Sequence, residues 1–152
     1  MPSDLLLFRP GRFSFATGNV RYVDAPDTYP TTEARIVVPV ELESVADPVL
    51  AVVDTAAPWC IFEPVVAESL VRKSLPILEQ TVLSTRMGMI QGAVYREVLR
   101  IPADEGEPLD VEASIFLSPD WRGPNFIGYQ GLLQRIRFAV DPEVNLFYFG
   151  HI

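Results

Sequence analysis

Short runs of Val, Ile, Leu, Phe and Tyr recur along the whole chain, each broken by proline, glycine or acidic residues. That rhythm predicts many short strands rather than long helices. Leu5 to Phe8 is a brief apolar start, and Asp24 to Thr32, with two prolines, reads as a loop. Ala34 to Leu42 predicts a strand in which Pro39, lacking a ladder donor, marks an edge or a bulge. Asp47-Pro48 turns the chain into Val49-Leu50-Ala51-Val52-Val53, an unbroken apolar run that predicts a strand buried on both faces. Glu63-Pro64 ahead of Val65 to Leu70 predicts a short helix, with proline in the first turn, where no hydrogen bond is lost, and Glu63 near the positive end of the dipole. Thr81 to Thr85 and Ala93 to Ile101 predict strands flanking Arg86 to Gly92, whose two glycines permit a hairpin tip. Beyond a polar turn from Pro102 to Pro108, Leu109 to Leu117 predicts a strand and Ser118 to Asn125 a loop. Gly131 to Arg135 fits one helical turn, Ile136 to Val140 a strand, Asp141 to Asn145 a turn, and Leu146 to Phe149 the last strand. The whole is a mainly β pattern with one or two short helices.

A chain of 152 residues is one domain's worth. It reads as a single domain over 1–152, with 1–33 as an N-terminal extension and loop and 34–149 as the core. A hydrophobic share of 49% with 21% charged residues excludes wholesale disorder. Twelve basic against twenty acidic side chains give a net charge of −8, which repels phosphate backbones and anionic lipid, so no nucleic acid and no membrane partner is expected. No apolar run approaches the roughly 18 residues that span a bilayer, and Met1-Pro2-Ser3-Asp4 lacks a basic leader, so a cytoplasmic location is expected. Cys60 and His151 are the only cysteine and histidine, too few for an internal disulfide or a thiolate–imidazole zinc cage. They also exclude the serine–histidine and cysteine–histidine machineries unless His151, next to the end, folds back from solvent. Glu105, Glu107 and Asp110 read as a solvated acidic turn rather than a metal cup. Neither a metal nor a cofactor is expected, and any chemistry rests on carboxylates.

Val52-Val53-Asp54-Thr55-Ala56-Ala57 sets a carboxylate where a buried apolar strand gives way to a loop of small residues. Desolvation raises a carboxyl pKa unless a partner compensates, which makes such a group a usable acid or base near neutral pH. An aspartate at a strand end also has a plainer use, bonding its own turn amides.

The string resembles the retroviral-type (retropepsin-like) single-domain aspartic proteases. Their signature is two apolar residues followed by Asp-Thr/Ser-Gly-Ala/Ser and, later, two apolar residues and a glycine. Val52 to Ala57 is similar to the first element and Phe126-Ile127-Gly128 to the second, while Tyr129 to Phe138 resembles the family's C-terminal helix and strand. Gly88, Met89, Ile90, Gln91 and Gly92 fall where the family carries its flap hairpin. The resemblance implies a closed or partly open β-barrel assembled as a two-fold homodimer. It also implies an aspartic endopeptidase in which two aspartates share one proton around a water. This chain offers one such residue, because Asp27-Thr28 runs into Tyr29-Pro30 and no apolar strand precedes it. Asp54 would therefore meet its symmetry mate on the axis, Thr55 would lock the two loops by hydrogen bonds, and Ala56 and Ala57 would support the turn. The implied partner besides a second copy is an extended peptide or protein substrate added as a strand. Pockets lined by residues such as Val52, Ile90 and Ile127 would favour apolar side chains.

Two positions depart from the family's pattern. Ala56 stands at the motif glycine, and Tyr129 stands where an arginine commonly anchors the dimer, so that the interface would draw on Arg135 or the terminal strands. Ala56 also motivates an alternative, a catalytically impaired peptide-binding module on the same fold. A more remote reading is a closed β-barrel holding a small apolar ligand. Elsewhere, Cys60 reads as a small buried hydrophobe. Trp121 either packs over the cleft or plugs the core, and Met87 and Met89 either touch substrate or fill gaps.

Overall fold

The computed structural model describes residues 15–24, 35–71 and 75–152. Leu5 to Phe8, most of the proline-containing loop and Ala34 lie outside the described residues. Among the described residues, eleven strands, one α-helix and one 3-10 turn follow in the order β1 (Gly18–Arg21), β2 (Val37–Val40), β3 (Val49–Asp54), β4 (Cys60–Ile61), α1 (Pro64–Val71), β5 (Ile77–Thr85), β6 (Gly88–Ile101), β7 (Glu105–Gly106), β8 (Leu109–Leu117), β9 (Phe126–Gly128), the 3-10 turn Leu133–Arg135, β10 (Ile136–Asp141) and β11 (Leu146–His151). The mainly β expectation holds, and every strand predicted from Val49 onward is present.

The strands form two sheets. One has seven strands in the order β2-β3-β9-β4-β8-β6-β5, and the other has four in the order β10-β11-β1-β7. Among the described residues neither sheet closes on itself, so of the closed or partly open barrel expected, the closed form is not found. The physical reason lies at the two ends of the larger sheet. β2 carries Pro39, which has no donor for a further ladder, and β5 pairs with β6 alone in a long arm whose residues are mostly exposed. The reading of a closed barrel around a small ligand loses its basis here.

Apolar alternation explains how the layers meet. Phe147 and Phe149 of β11, both fully buried, join Phe62, Leu99, Ile101, Ile115 and Ile127 in one core that links both sheets. Each such side chain removed from water contributes about 2 kcal/mol. Helix α1 seats Val66, Ala67 and Leu70 on this core and leaves Val65 and Val71 exposed, as a one-faced helix does. A second cluster of Ile61, Ile90, Val94, Phe116 and Trp121 lies under the β5–β6 arm.

Several local expectations change. β3 is not buried on both faces throughout, since Leu50 is exposed on the side away from the core. Gly18–Arg21, read as part of an extension, is a strand between β11 and β7. Its four residues of mixed polarity carry no alternation signal in the sequence. His151 is exposed as expected, yet it sits in β11 opposite Ile136. Asp110 is not in the acidic turn but in β8, where its carboxylate accepts two hydrogen bonds from Arg100, at 2.7 and 3.0 Å. Those bonds hold its pKa below the usual carboxylate range.

Candidate active site

β3 and β9 lie side by side in parallel, in the register Val52 to Phe126, Val53 to Ile127 and Asp54 to Gly128. The two sequence motifs are thus adjacent residue for residue, on the second and third strands of the larger sheet. Asn125, just before the second motif, fixes this alignment. Its backbone carbonyl accepts from Val52 N at 2.8 Å, its side-chain amide donates to Leu50 O at 3.1 Å, and its side-chain oxygen accepts from Glu63 N at 2.8 Å. One buried amide therefore ties β3 and the entry to α1 to the strand that supports Asp54. By sequence alone Asn125 falls at the end of a loop. The available signal was an amide side chain directly ahead of an apolar strand.

Beyond Asp54 the chain turns sharply. Ala57 N donates to Asp54 O at 3.2 Å, and Ala56 N donates to the Asp54 carboxylate Oδ1 at 2.9 Å. The plainer use of a strand-end aspartate is therefore realised, with the second carboxylate oxygen outside that turn bond. The loop then latches onto the segment after Gly128: Tyr129 N donates to Ala57 O at 2.7 Å and Gly131 N to Pro58 O at 2.8 Å. A β-carbon on Gly128 would lie 2.2 Å from Trp59 O, so only glycine admits this crossing. Asp54 is half-buried rather than buried, and Thr55 and Ala56 are exposed. In a single chain the carboxylate sits at the rim of the sheet, where a loop of small residues leaves it open to solvent. Ala56 keeps a negative φ, so alanine in place of the motif's glycine brings no backbone strain.

The β5–β6 arm occupies the place of the expected flap, with its tip displaced. The turn falls at Arg86 and Met87, and Gly88, at φ 109°, already opens β6. Thr85 staples the turn through its hydroxyl, which accepts from Met87 N at 3.1 Å and donates to Gly88 O at 2.8 Å. Gly92 is not a tip residue. It lies within β6, where a β-carbon would fall 2.6 Å from the Phe116 ring, so its bareness serves packing. Met87 and Met89 are 60% and 67% exposed and fill no gap, whereas Ile90 is buried beneath the arm. Gln91 is exposed, and its carbonyl accepts from Ser118 Oγ at 2.6 Å.

Trp121 plugs the core. It packs against Phe126 with ring centroids 5.7 Å apart and donates its indole N–H to Pro124 O at 3.0 Å. The arm's base and the second motif thereby share one apolar cluster, while no hydrogen bond among the described residues joins the arm's tip to the Asp54 loop. Val52, Ile90 and Ile127 are all buried and do not line an open pocket. Alternation turns these side chains into the sheet's packed layers.

Two surface hollows, of about 510 and 200 Å³, lie apart from Asp54. The first is lined by charged residues including Glu41, Asp47, Arg100 and Asp110, and the second by residues including Glu112, Arg135 and His151. Cys60 is fully buried, and burial pushes its thiol up to about 12, which makes it a packing residue rather than a nucleophile. Arg135 is committed within the chain: it donates to Ser114 Oγ at 2.8 Å and to the Glu112 carbonyl, while burial and the nearby Arg96 charge lower its pKa. Among the described residues no group of His, Cys, Asp and Glu is placed to hold a metal, and no helix is long and apolar enough to cross a membrane.

The arrangement is similar to that of known structures. A retropepsin-like aspartic protease from Rickettsia conorii superposes with a TM-score of 0.53 at 14% identity, over 89% of this chain and 94% of that one. The retroviral protease-like domain of Ddi1 from Leishmania major superposes with a TM-score of 0.52 at 16% identity, over 78% of this chain and 90% of that one. No family model matches the sequence, and no curated protein matches it. The likeness is one of fold.

Proposed function

We propose that this retropepsin-like fold serves an aspartic endopeptidase that works as a two-fold homodimer, with Asp54 of each copy forming the dyad. The observation that carries the reading is the parallel register of Asp54 with Gly128, which supports a half-buried carboxylate on a loop of small residues, of which Thr55 and Ala56 are exposed. A dyad needs two carboxyls close enough that one proton is shared. One then acts as base toward a water while the other, protonated, polarises the scissile carbonyl. Bringing a second copy against Thr55 and Ala56 would remove both carboxyls from solvent and raise the cost of ionising both. The exposed methionines of the β5–β6 arm supply adaptable apolar contact for an extended peptide, and the arm's outer edge supplies unpaired backbone groups.

A second reading, a peptide-binding module that no longer turns over, is favoured by the turn bond from Ala56 N to Asp54 and by the Ala56 methyl beside it. One experiment separates the two. Cleavage of an apolar peptide library by the wild type across about pH 3 to 8, lost in Asp54→Asn and blocked by a pepstatin-type inhibitor, supports the protease. Proteolysis retained by Asp54→Asn refutes it. Binding without cleavage, with activity appearing in Ala56→Gly, favours the second reading.

A further inference from the structure

We infer that the two copies join along strand β10, paired antiparallel with its symmetry mate about a two-fold axis at Ala139. This inference rests on the homodimer reading above and names its seam. The terminal strand cannot supply it, because both edges of β11 are occupied, by β10 and by β1. Arg135 is bonded within its own chain. Of the other sheet edges among the described residues, β2 carries Pro39 and is tied down by the bridges of Val37 to Val23 and of Glu41 to Arg100. β7 has two residues, and β5 belongs to the arm. β10 remains, six residues long, with one edge paired and the other open among the described residues.

The residues of β10 suit self-pairing. Ile136, Phe138 and Val140 point into the core, which sends Arg137, Ala139 and Asp141 to the opposite face. An antiparallel pair centred on Ala139 sets the smallest side chain against its own copy on the axis. The same register sets Arg137 opposite Asp141 of the other copy, twice by symmetry, and Phe138 opposite Val140. Arg137 makes no ion pair among the described residues, and Asp141, whose Oδ1 accepts from Glu143 N at 3.0 Å, keeps its other carboxylate oxygen outside that turn bond, so both charges can face the other copy. A register shifted by one residue would oppose Arg137 to Val140 and lose both charge pairs. A short stretch of chain also links the seam to the residue that bonds the Asp54 loop. Tyr129, 46% exposed, is bonded to that loop, and the compact turn through Leu132 and Gln134 leads straight into Ile136.

The test uses the full chain and reads mass and cross-linking rather than cleavage. Sedimentation should give a dimer. Ala139→Cys should form an inter-copy disulfide under mild oxidation, while Val144→Cys, in the exposed turn after β10, should not. Arg137→Glu should raise the dimer dissociation constant about tenfold by setting like charges opposite, and Arg137→Glu with Asp141→Lys should restore it. A monomer, or a dimer indifferent to Arg137→Glu and not linked through residue 139, overturns the seam. The two readings fail separately. A cross-linked dimer without cleavage leaves the seam and removes the protease, and Asp54-dependent cleavage unmoved by Arg137→Glu does the reverse.

Discussion

Asp54 and Gly128 stand opposite each other in adjacent parallel strands, and the loop that follows the aspartate crosses directly over the glycine. The carboxylate's position is thus set by a backbone-to-backbone approach that no side chain other than hydrogen allows.

Gly128→Ala is therefore expected to destabilise the protein by about 3 kcal/mol, because the new methyl meets the Trp59 carbonyl rather than a movable side chain. Ala56→Gly, on an exposed loop at negative φ, should cost less than about 1 kcal/mol, through the greater freedom of the unfolded chain. Urea unfolding of the two variants checks the contrast. Equal losses would show that the crossing over Gly128 is not tight.

Asn125→Ala should cost about 2 kcal/mol, since it takes away the buried amide that partners the Leu50 carbonyl and the Glu63 N–H in a partly buried place. Hydrogen exchange should rise at Glu63 and along β3 more than elsewhere. Uniform protection in the variant would argue that the amide is not what aligns the motifs.

Thr85→Val keeps the shape of the side chain and removes the hydroxyl that closes the arm's turn. Global stability should fall by no more than about 1 kcal/mol, because the site is exposed. Any peptide cleavage should lose kcat/KM by severalfold through a looser arm. An unchanged kcat/KM would separate the turn's order from substrate handling.

The buried Cys60 thiol, pushed up to about 12 from an ordinary value near 9, makes stability depend on alkaline pH. Below the unfolded value both states hold the proton and the full contribution is present. Between the two values the unfolded chain releases it and the native state does not, so stability falls as pH rises, by at most about 1.4 kcal/mol per pH unit. Cys60→Ala should show a shallower loss than the wild type between about pH 9 and pH 11 when unfolding midpoints are compared. Parallel slopes would contradict this role for the thiol.

The sequence by itself determined the strand rhythm from Val49 onward, the start of α1 at Pro64, the turn at Asp141 to Asn145 and the identity of the two short motifs. Each of these is written locally, in alternation, in proline's fixed φ or in a run of turn residues, and local signals survive without knowledge of the fold. Tertiary structure alone decided the rest. That Val52-Val53-Asp54 lies beside Phe126-Ile127-Gly128, that Asn125 holds the pair, that Gly18–Arg21 completes the small sheet and that Gly92 makes way for Phe116 all depend on contacts between residues far apart in the chain. The same holds for the half-buried state of Asp54, because a strand end is covered or left open by neighbours that its own sequence does not name.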